Sequence, residues 1–303
     1  MRSMELTKIV LGTVQLGLDY GVNNVRGKPS RQESLAILDR AYEQGIRIFD
    51  TAFAYGDAEE IIGEFISARK LGGQIQIISK LEPNCVPQES KNAYEIIESK
   101  LRDSLHRLNR QTIDGYLLHT SPYIFRKEIV DALHRCKMNG LVKNIGVSIY
   151  EESEALAAAS SPLIDYIQIP YSVFDQRLNT TDFFRLAKEN GKKVFARTAF
   201  LQGLIFMAEE KIPDYASGVK KYLKEFDDII RGYGLSRIQA ALMFSASEPC
   251  IDYIVFGVDT IEQLTENINT MANLNYNADC VAELKDRFSN IEKSIIFPSL
   301  WKK

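Results

Sequence analysis

The chain predicts an α/β fold, a (β/α)8 barrel of the TIM type that forms one domain over residues 1–303. Three observations predict it. Short β-rich apolar runs alternate with helical patterns from one end of the chain to the other. Eight such strand–helix units occur, the number that closes a parallel sheet on itself. No Pro-, Gly- or Ser-rich linker, short repeat or low-complexity segment interrupts them. A doubly wound open sheet is the structural competitor. It needs fewer strands and usually a phosphate-binding glycine loop after the first.

The elements follow in order. Residues 9–13 are the first strand. Ser30 opens the first helix, with Glu33 placed to complete a capping box. Leu35, Leu38 and Ala41 then recur at helical spacing, and Gly45 ends the element. The second strand, 46–50, ends at Asp50, and a helix follows Asp57 with Ile61, Ile62, Phe65 and Ile66 on one face. The third strand, 75–79, ends at Lys80 and leads to a long helix over about 90–108. The fourth, 113–118, ends at His119, with a helix over about 125–139 closed by Gly140. The fifth, 145–148, precedes a helix around 153–159; the sixth, 166–169, precedes one over 181–190 closed by Gly191. The seventh, 194–196, is followed by two helical patterns, 218–233 and 236–246. The eighth, 253–256, leads to a helix over 260–271, and a last helix spans about 279–289.

Composition narrows the function. The formal net charge of −3 and a pI near 5.8 give no overall field favouring nucleic acid or an anionic membrane. The basic pairs Lys192-Lys193, Lys220-Lys221 and Lys302-Lys303 read as solvated surface. The four cysteines, Cys85, Cys136, Cys250 and Cys280, are scattered without a C-x-x-C, so neither a disulfide framework nor zinc is signalled. No other His, Cys or carboxylate spacing suggests a metal. Free thiols suit a reducing compartment. Residues 1–6 lack the apolar core of a signal peptide, and no apolar run reaches a membrane span, so a cytoplasmic location is expected. No G-x-G-x-x-G or G-x-S-x-G occurs. Residues 21–28 fail as a phosphate loop, because their glycines are one residue too far apart and Pro29 stands where Ser or Thr would bind magnesium.

In such a barrel, chemistry collects at the C-terminal strand ends. The residues there are Thr13, then Asp50 with Tyr55, Lys80, His119, Ser148, Gln168, Arg197, and Asp259 with Thr260. Asp50, Tyr55, Lys80 and His119 handle protons and come from three adjacent strands. A free tyrosine titrates near ~10, too high for efficient acid catalysis at neutral pH. A neighbouring ammonium would lower that value, and Lys80 is the expected source. Lys80 in turn needs a carboxylate to stay charged when buried, and Asp50 is the expected partner. Taken singly, Asp50 with Lys80 reads as a structural rim pair, His119 as a core histidine and Tyr55 as loop packing. Their joint placement argues for one site, suited to protonating a carbonyl oxygen while hydride reaches the carbon.

These residues sit in segments that resemble the aldo-keto reductase family. The strongest runs from Gly45 through Asp50-Thr51-Ala52 to Ala54-Tyr55-Gly56 and Glu60-Ile61-Ile62-Gly63. Ile78-Ser79-Lys80, Leu117-Leu118-His119, Ile145-Gly146-Val147-Ser148, Leu201-Gln202-Gly203-Leu204 and Gln263-Leu264-Thr265-Glu266-Asn267 follow in family order. The resemblance implies NAD(P)H-dependent reduction of a small-molecule aldehyde or ketone, with no metal. It implies Tyr55 as proton donor, Lys80 and Asp50 tuning it, and His119 orienting substrate. Ser148 and Gln168 match positions that hold the nicotinamide carboxamide; Glu266 and Asn267 match those that hold adenine. The pyrophosphate is expected near Leu201, Gly203 and Gly257, with Thr13 and Thr260 counted on the cofactor side.

The chain departs from the family at several of these positions. Ile149 stands where asparagine often follows the strand-five serine. Arg197 occupies the place of the aromatic that stacks on nicotinamide; it either stacks in its stead or contacts phosphate or substrate. Gln263 stands where an arginine often meets the 2′-phosphate of NADP, and Asp259 lies close by. NADP is the family default, while this pair favours the ribose hydroxyls of NAD. Phe53, Tyr123, Phe174 and Trp301 are candidate pocket walls, and Tyr20-Gly21 with the polar loop 23–28, which follow the first strand, are either a candidate contact for a polar substrate or a solvated turn. Two rival readings are a non-catalytic cofactor-binding regulatory subunit and a Schiff-base aldolase using Lys80. The substrate and the oligomeric state are not readable.

Overall fold

The computed structural model describes residues 6–301. The amino-terminal stretch 1–5 and the pair Lys302-Lys303 lie outside the described residues. Eight strands form a closed parallel barrel in sequence order: β1 (Ile9–Gly12), β2 (Ile48–Asp50), β3 (Gln76–Lys80), β4 (Ile113–Leu118), β5 (Val142–Ser148), β6 (Tyr166–Pro170), β7 (Lys193–Arg197) and β8 (Tyr253–Gly257). Pairing of Ile9 with Ile254 through Gly12 with Gly257 joins β1 to β8 and closes the sheet.

The helices are α1 (Val14–Gly17), α2 (Arg31–Glu43), α3 (Ala58–Ala68), α4 (Ala93–Arg107), α5 (Lys127–Met138), α6 (Glu152–Ser160), α7 (Phe183–Glu189), α8 (Lys220–Gly232), α9 (Arg237–Ala246), α10 (Ile261–Ala272), α11 (Ala278–Arg287) and α12 (Lys293–Ile296). The expected capping box at Ser30 and Glu33 is formed, with Ser30 N donating to Glu33 Oε2 at 2.9 Å. Gly45 has φ +92, the left-handed geometry that ends α2 and turns the chain into β2. Two short helices, α1 and α12, escape sequence reading because a single turn carries no periodic signal. Strand β5 begins at Val142, three residues before the expected start, because Ile113 pairs with Val142 beyond the apolar run.

Side-chain alternation divides the barrel wall. The outward residues pack against the helices in one continuous core, in which each fully buried Leu or Ile contributes about 1.5–3 kcal/mol. The inward residues form a separate buried cluster: Val10, Ile48, Ile78, Leu117, Phe195 and Val255, with Tyr166 and Tyr253 packed on it. Phe195 stacks on Tyr253 with ring centroids 4.7 Å apart and meets Tyr166 at 5.1 Å. Because the strand period is two, the next inward position along each strand lies one layer higher. Those positions are Gly12, Asp50, Lys80, His119, Arg197 and Gly257, with Gln168 above Tyr166. The apolar plug thus carries a polar layer directly on top of it.

Candidate active site

The polar layer is built around Asp50, which is buried at the end of β2. Its Oδ2 accepts from Lys80 Nζ at 2.7 Å, and its Oδ1 accepts from Gln168 Nε2 at 2.8 Å across the barrel. Gln168 Oε1 in turn accepts from Ser148 Oγ at 3.1 Å. Lys80 Nζ also donates to the Thr51 carbonyl at 2.8 Å, and Thr13 Oγ1 donates to the Asp50 carbonyl at 3.0 Å. Five elements therefore meet in one hydrogen-bonded chain. Burial pushes the Lys80 pKa down, and the Asp50 carboxylate opposes that shift. A buried ammonium and carboxylate persist only when both are paired and their remaining bonds satisfied, as here.

Tyr55 hangs over this layer from the turn between β2 and α3. Tyr55 N donates to the Ala52 carbonyl at 3.0 Å, and the Tyr55 carbonyl accepts from Ala58 N at 3.0 Å. The turn is pressed against α1 through two glycines. A Cβ on Gly17 would stand 1.8 Å from the Tyr55 carbonyl oxygen, and one on Gly56 2.3 Å from the Gly17 oxygen. Lys80 Nζ lies 5.0 Å from the Tyr55 ring centroid. His119 meets the ring edge-on, with centroids 5.8 Å apart and planes at 86°.

The electrostatics correct one expectation. Lys80 was expected to lower the Tyr55 pKa; instead the phenol is pushed upward, by burial first and by the Asp50 charge second. The opposing cation is Arg197. Lys80 has spent its charge on Asp50, so its field at the phenol is largely cancelled. His119 moves the other way, from its ordinary 6.5 to about 3, through burial and then the charges of Lys80 and Arg197. Its imidazole is neutral at pH 7, and its Nδ1 is buried with no hydrogen-bond partner among the described residues.

Above these groups opens a cavity of about 650 Å³. Asp50, Tyr55 and His119 line its floor together with Thr13, Ser148, Gln168 and Arg197; Gly203, Gly257, Asp259, Gln263, Glu266 and Asn267 line its arm toward α10. Three predicted residues do not face it. Lys80 lies behind Asp50, out of reach of the nucleophilic role that an aldolase would require. Leu201 is buried in the core, its backbone at φ +47 beside Gln202 at +54 and Gly203 at +83. Thr260 caps α10, accepting from Gln263 N at 3.2 Å. The expected walls are also corrected, since none of the four lines the cavity. Phe174 and Tyr123 are core residues, Phe53 is covered by Arg107, and Trp301 packs with Tyr215.

The walls come instead from Tyr20, Tyr150, Phe200, Phe206 and the start of α9 at Arg237 and Ile238. Only Tyr20 had a sequence signal, its place in the loop after β1. The polar loop there does reach the cavity through Asn23 and Asn24, but the Asn24 amide serves the loop itself by bonding the Tyr20 and Gly27 carbonyls. Gln15 was also missed. Its side chain lies against Gly257, where a Cβ would meet Gln15 Oε1 at 2.1 Å. Among the described residues no His, Cys, Asp and Glu group has a metal-holding arrangement, and no helix is long and apolar enough to cross a membrane.

Comparison with known proteins agrees with this geometry. The chain is 27% identical over 285 residues to the uncharacterized oxidoreductase YqkF of Bacillus subtilis (strain 168), covering 88% of this chain and 87% of that protein. It is 24% identical to D-threo-aldose 1-dehydrogenase of Pseudomonas sp, covering 88% and 92% of the two chains. Among solved structures, it is similar to aldo-keto reductase AKR11C1 from Bacillus halodurans in its holo form. The TM-score is 0.74 at 20% identity, over 99% of both chains. It is also similar to an aldo/keto reductase from Klebsiella pneumoniae in complex with NADP and acetate, with a TM-score of 0.69 at 19% identity over 95% and 96%. The Aldo/keto reductase family profile matches residues 8–287. With a match that long, and with the barrel and its polar mouth described above, the chain belongs to the aldo/keto reductase family of oxidoreductases.

Proposed function

We propose that this single-domain barrel is an NAD(P)H-dependent enzyme that reduces an aldehyde or ketone to an alcohol, with Tyr55 as the proton donor. The observation that carries the reading is the convergence of Tyr55 and His119 over the Asp50–Lys80 pair at the floor of one cavity. The residues fit a nicotinamide dinucleotide. Four buried polar atoms around the cavity, Gln15 Oε1, His119 Nδ1, Arg197 Nε and Asp259 Oδ1, have no partner among the described residues. Unpartnered polar atoms beside a cavity are groups that a bound molecule can satisfy.

Ser148 and Gln168 would hold the carboxamide, Gly203 and Gly257 would let backbone approach the pyrophosphate, and Glu266 and Asn267 would hold the adenine. The bound cofactor would supply a hydride to the carbonyl carbon. The chain's own residues do the rest. His119, neutral, orients the carbonyl oxygen by a hydrogen bond. Tyr55, held protonated by burial, gives that oxygen its proton as the C=O bond becomes C–OH. The phenolate left on Tyr55 then lies within the field of Arg197, while Lys80 keeps one N–H that is not committed to Asp50 or Thr51. Solvent restores the proton. Asp50 keeps Lys80 charged throughout.

Asp259 bears on which dinucleotide is used. Its Oδ1 is unpartnered among the described residues, and its backbone N–H donates to Gln263 Oε1 at 2.7 Å. A carboxylate there suits ribose hydroxyls and repels a 2′-phosphate. NADH is therefore expected to serve nearly as well as NADPH. Asp259→Ser should shift kcat/KM toward NADPH by several-fold; a strong wild-type preference for NADPH would refute this part. The reading as a whole is tested by NADPH and NADH oxidation with a panel of aldehydes. Tight cofactor binding with no turnover on any of them would mean a non-catalytic cofactor-binding protein instead.

A further inference from the structure

We propose that Arg197 selects carbonyl substrates that carry an anionic group, carboxylate or phosphate, close to the carbonyl. The proposal deepens the reductase reading and rests on it for the reaction.

Arg197 ends β7 on the inward side, one layer above Phe195, and lines the cavity with Tyr55 and His119. Its guanidinium is held in one plane. It lies 4.5 Å over the Tyr150 ring, and Nη2 donates to the Ile149 carbonyl at 3.0 Å. Nε is buried and has no partner among the described residues. Among the described residues Arg197 makes no ion pair. The nearby carboxylates are taken: Asp50 by Lys80 and Gln168, and Asp175 by Arg177 at 2.9 Å and 3.0 Å. A half-buried guanidinium with one carbonyl for company lacks its counter-ion. Its planar fork of donors matches an anionic oxygen pair better than it matches a neutral group.

The position favours substrate over cofactor. The guanidinium is drawn toward the end of β5, at Ile149 and Tyr150, and away from the β8 end, where Gly257 and Asp259 face the other arm of the cavity. Its charge reaches both proton-handling groups, opposing the rise of the Tyr55 phenol and adding to the fall of the His119 imidazole. An anion on Arg197 therefore belongs to the same small molecule whose carbonyl meets Tyr55.

The test uses matched pairs with the cofactor-loaded protein: succinic semialdehyde against butanal, and glyceraldehyde 3-phosphate against glyceraldehyde. The wild type should favour at least one charged partner in kcat/KM by about tenfold or more, and the pair that shows it distinguishes carboxylate from phosphate. Arg197→Met should collapse that ratio, while Arg197→Lys should retain part of it. Ratios near one in both pairs, or a ratio that Arg197→Met leaves intact, would overturn the proposal. So would an Arg197→Met variant that loses NADPH affinity with the ratio unchanged, since the guanidinium would then serve the cofactor. Calorimetry of benzoate and inorganic phosphate binding separates the two readings. Arg197-dependent anion binding without turnover of any aldehyde would sink the reductase reading and leave the anion site. Turnover of neutral aldehydes without Arg197-dependent anion binding would do the reverse.

Discussion

The lower and upper halves of the barrel interior are made by the same strands in the same alternation, yet they obey opposite rules. Below, Val10, Ile48, Ile78, Leu117, Phe195 and Val255 exclude water and need only fill space. Two residues higher, Asp50, Lys80, Ser148 and Gln168 are equally buried, and each survives there because another member of the layer answers its charge or its hydrogen bonds. The lower half stabilises the closed sheet. The upper half uses the poorly solvated floor that this closure creates, beside which a phenol stays protonated and an imidazole stays neutral. Stability and chemistry are separated by one pleat.

The sharpest way to test this division is Tyr55→Phe. It should lower kcat on the order of 10²–10⁴, the usual worth of a positioned general acid, with unfolding midpoint and cofactor affinity almost unmoved. Retained turnover would show that another group supplies the proton. Phe195→Ala should do the opposite. It removes a ring stacked on Tyr253 and should cost roughly 3–5 kcal/mol in denaturant unfolding, with kcat of the folded protein changed only a few-fold.

Lys80→Met should cross the boundary and harm both properties. It leaves Asp50 buried without its cation, at roughly 3–5 kcal/mol, and it leaves the Asp50 charge unbalanced beside Tyr55. The double variant Lys80→Met with Asp50→Leu should regain much of the stability and none of the activity. If it regains neither, the pair is not the electrostatic unit described.

The smallest effect is the pH dependence of stability from His119. Its pKa falls from 6.5 unfolded to about 3 folded, so between those values the unfolded chain binds the extra proton. Stability from this group is thus fully present above pH 6.5 and lost as pH falls toward 3. His119→Gln should flatten that part of the urea-midpoint profile; an unchanged slope would place the titration elsewhere.

Sequence reading reached the strands and the floor of the site for one reason. The alternation that puts Ile48 and Ile78 inside also puts Asp50 and Lys80 inside, two positions on. It failed where a residue acts through its backbone or through distant packing. Leu201 and Thr260 are in the right loops, but they shape a turn and cap a helix rather than face the cavity. Tyr150, Phe200 and Ile238 form walls only because the connections after β5 and β7 converge at the mouth, which no local pattern encodes. The Tyr55 shift went the other way from the expectation because its sign depends on burial and on which cation is already neutralised.

The glycine contact beneath Tyr55 has a mechanical consequence. Gly17 and Gly56 bring two main chains together with no side chain between them to act as a bearing. The loop after β1 is also tied to the loop after β7, Val22 N donating to the Gln202 carbonyl at 3.0 Å. Three stretches of the rim are therefore in contact through their main chains, and a shift of one would disturb the other two. Alterations in the first loop should accordingly be felt in the rate of product escape, a step that often limits turnover in enzymes with moving rims.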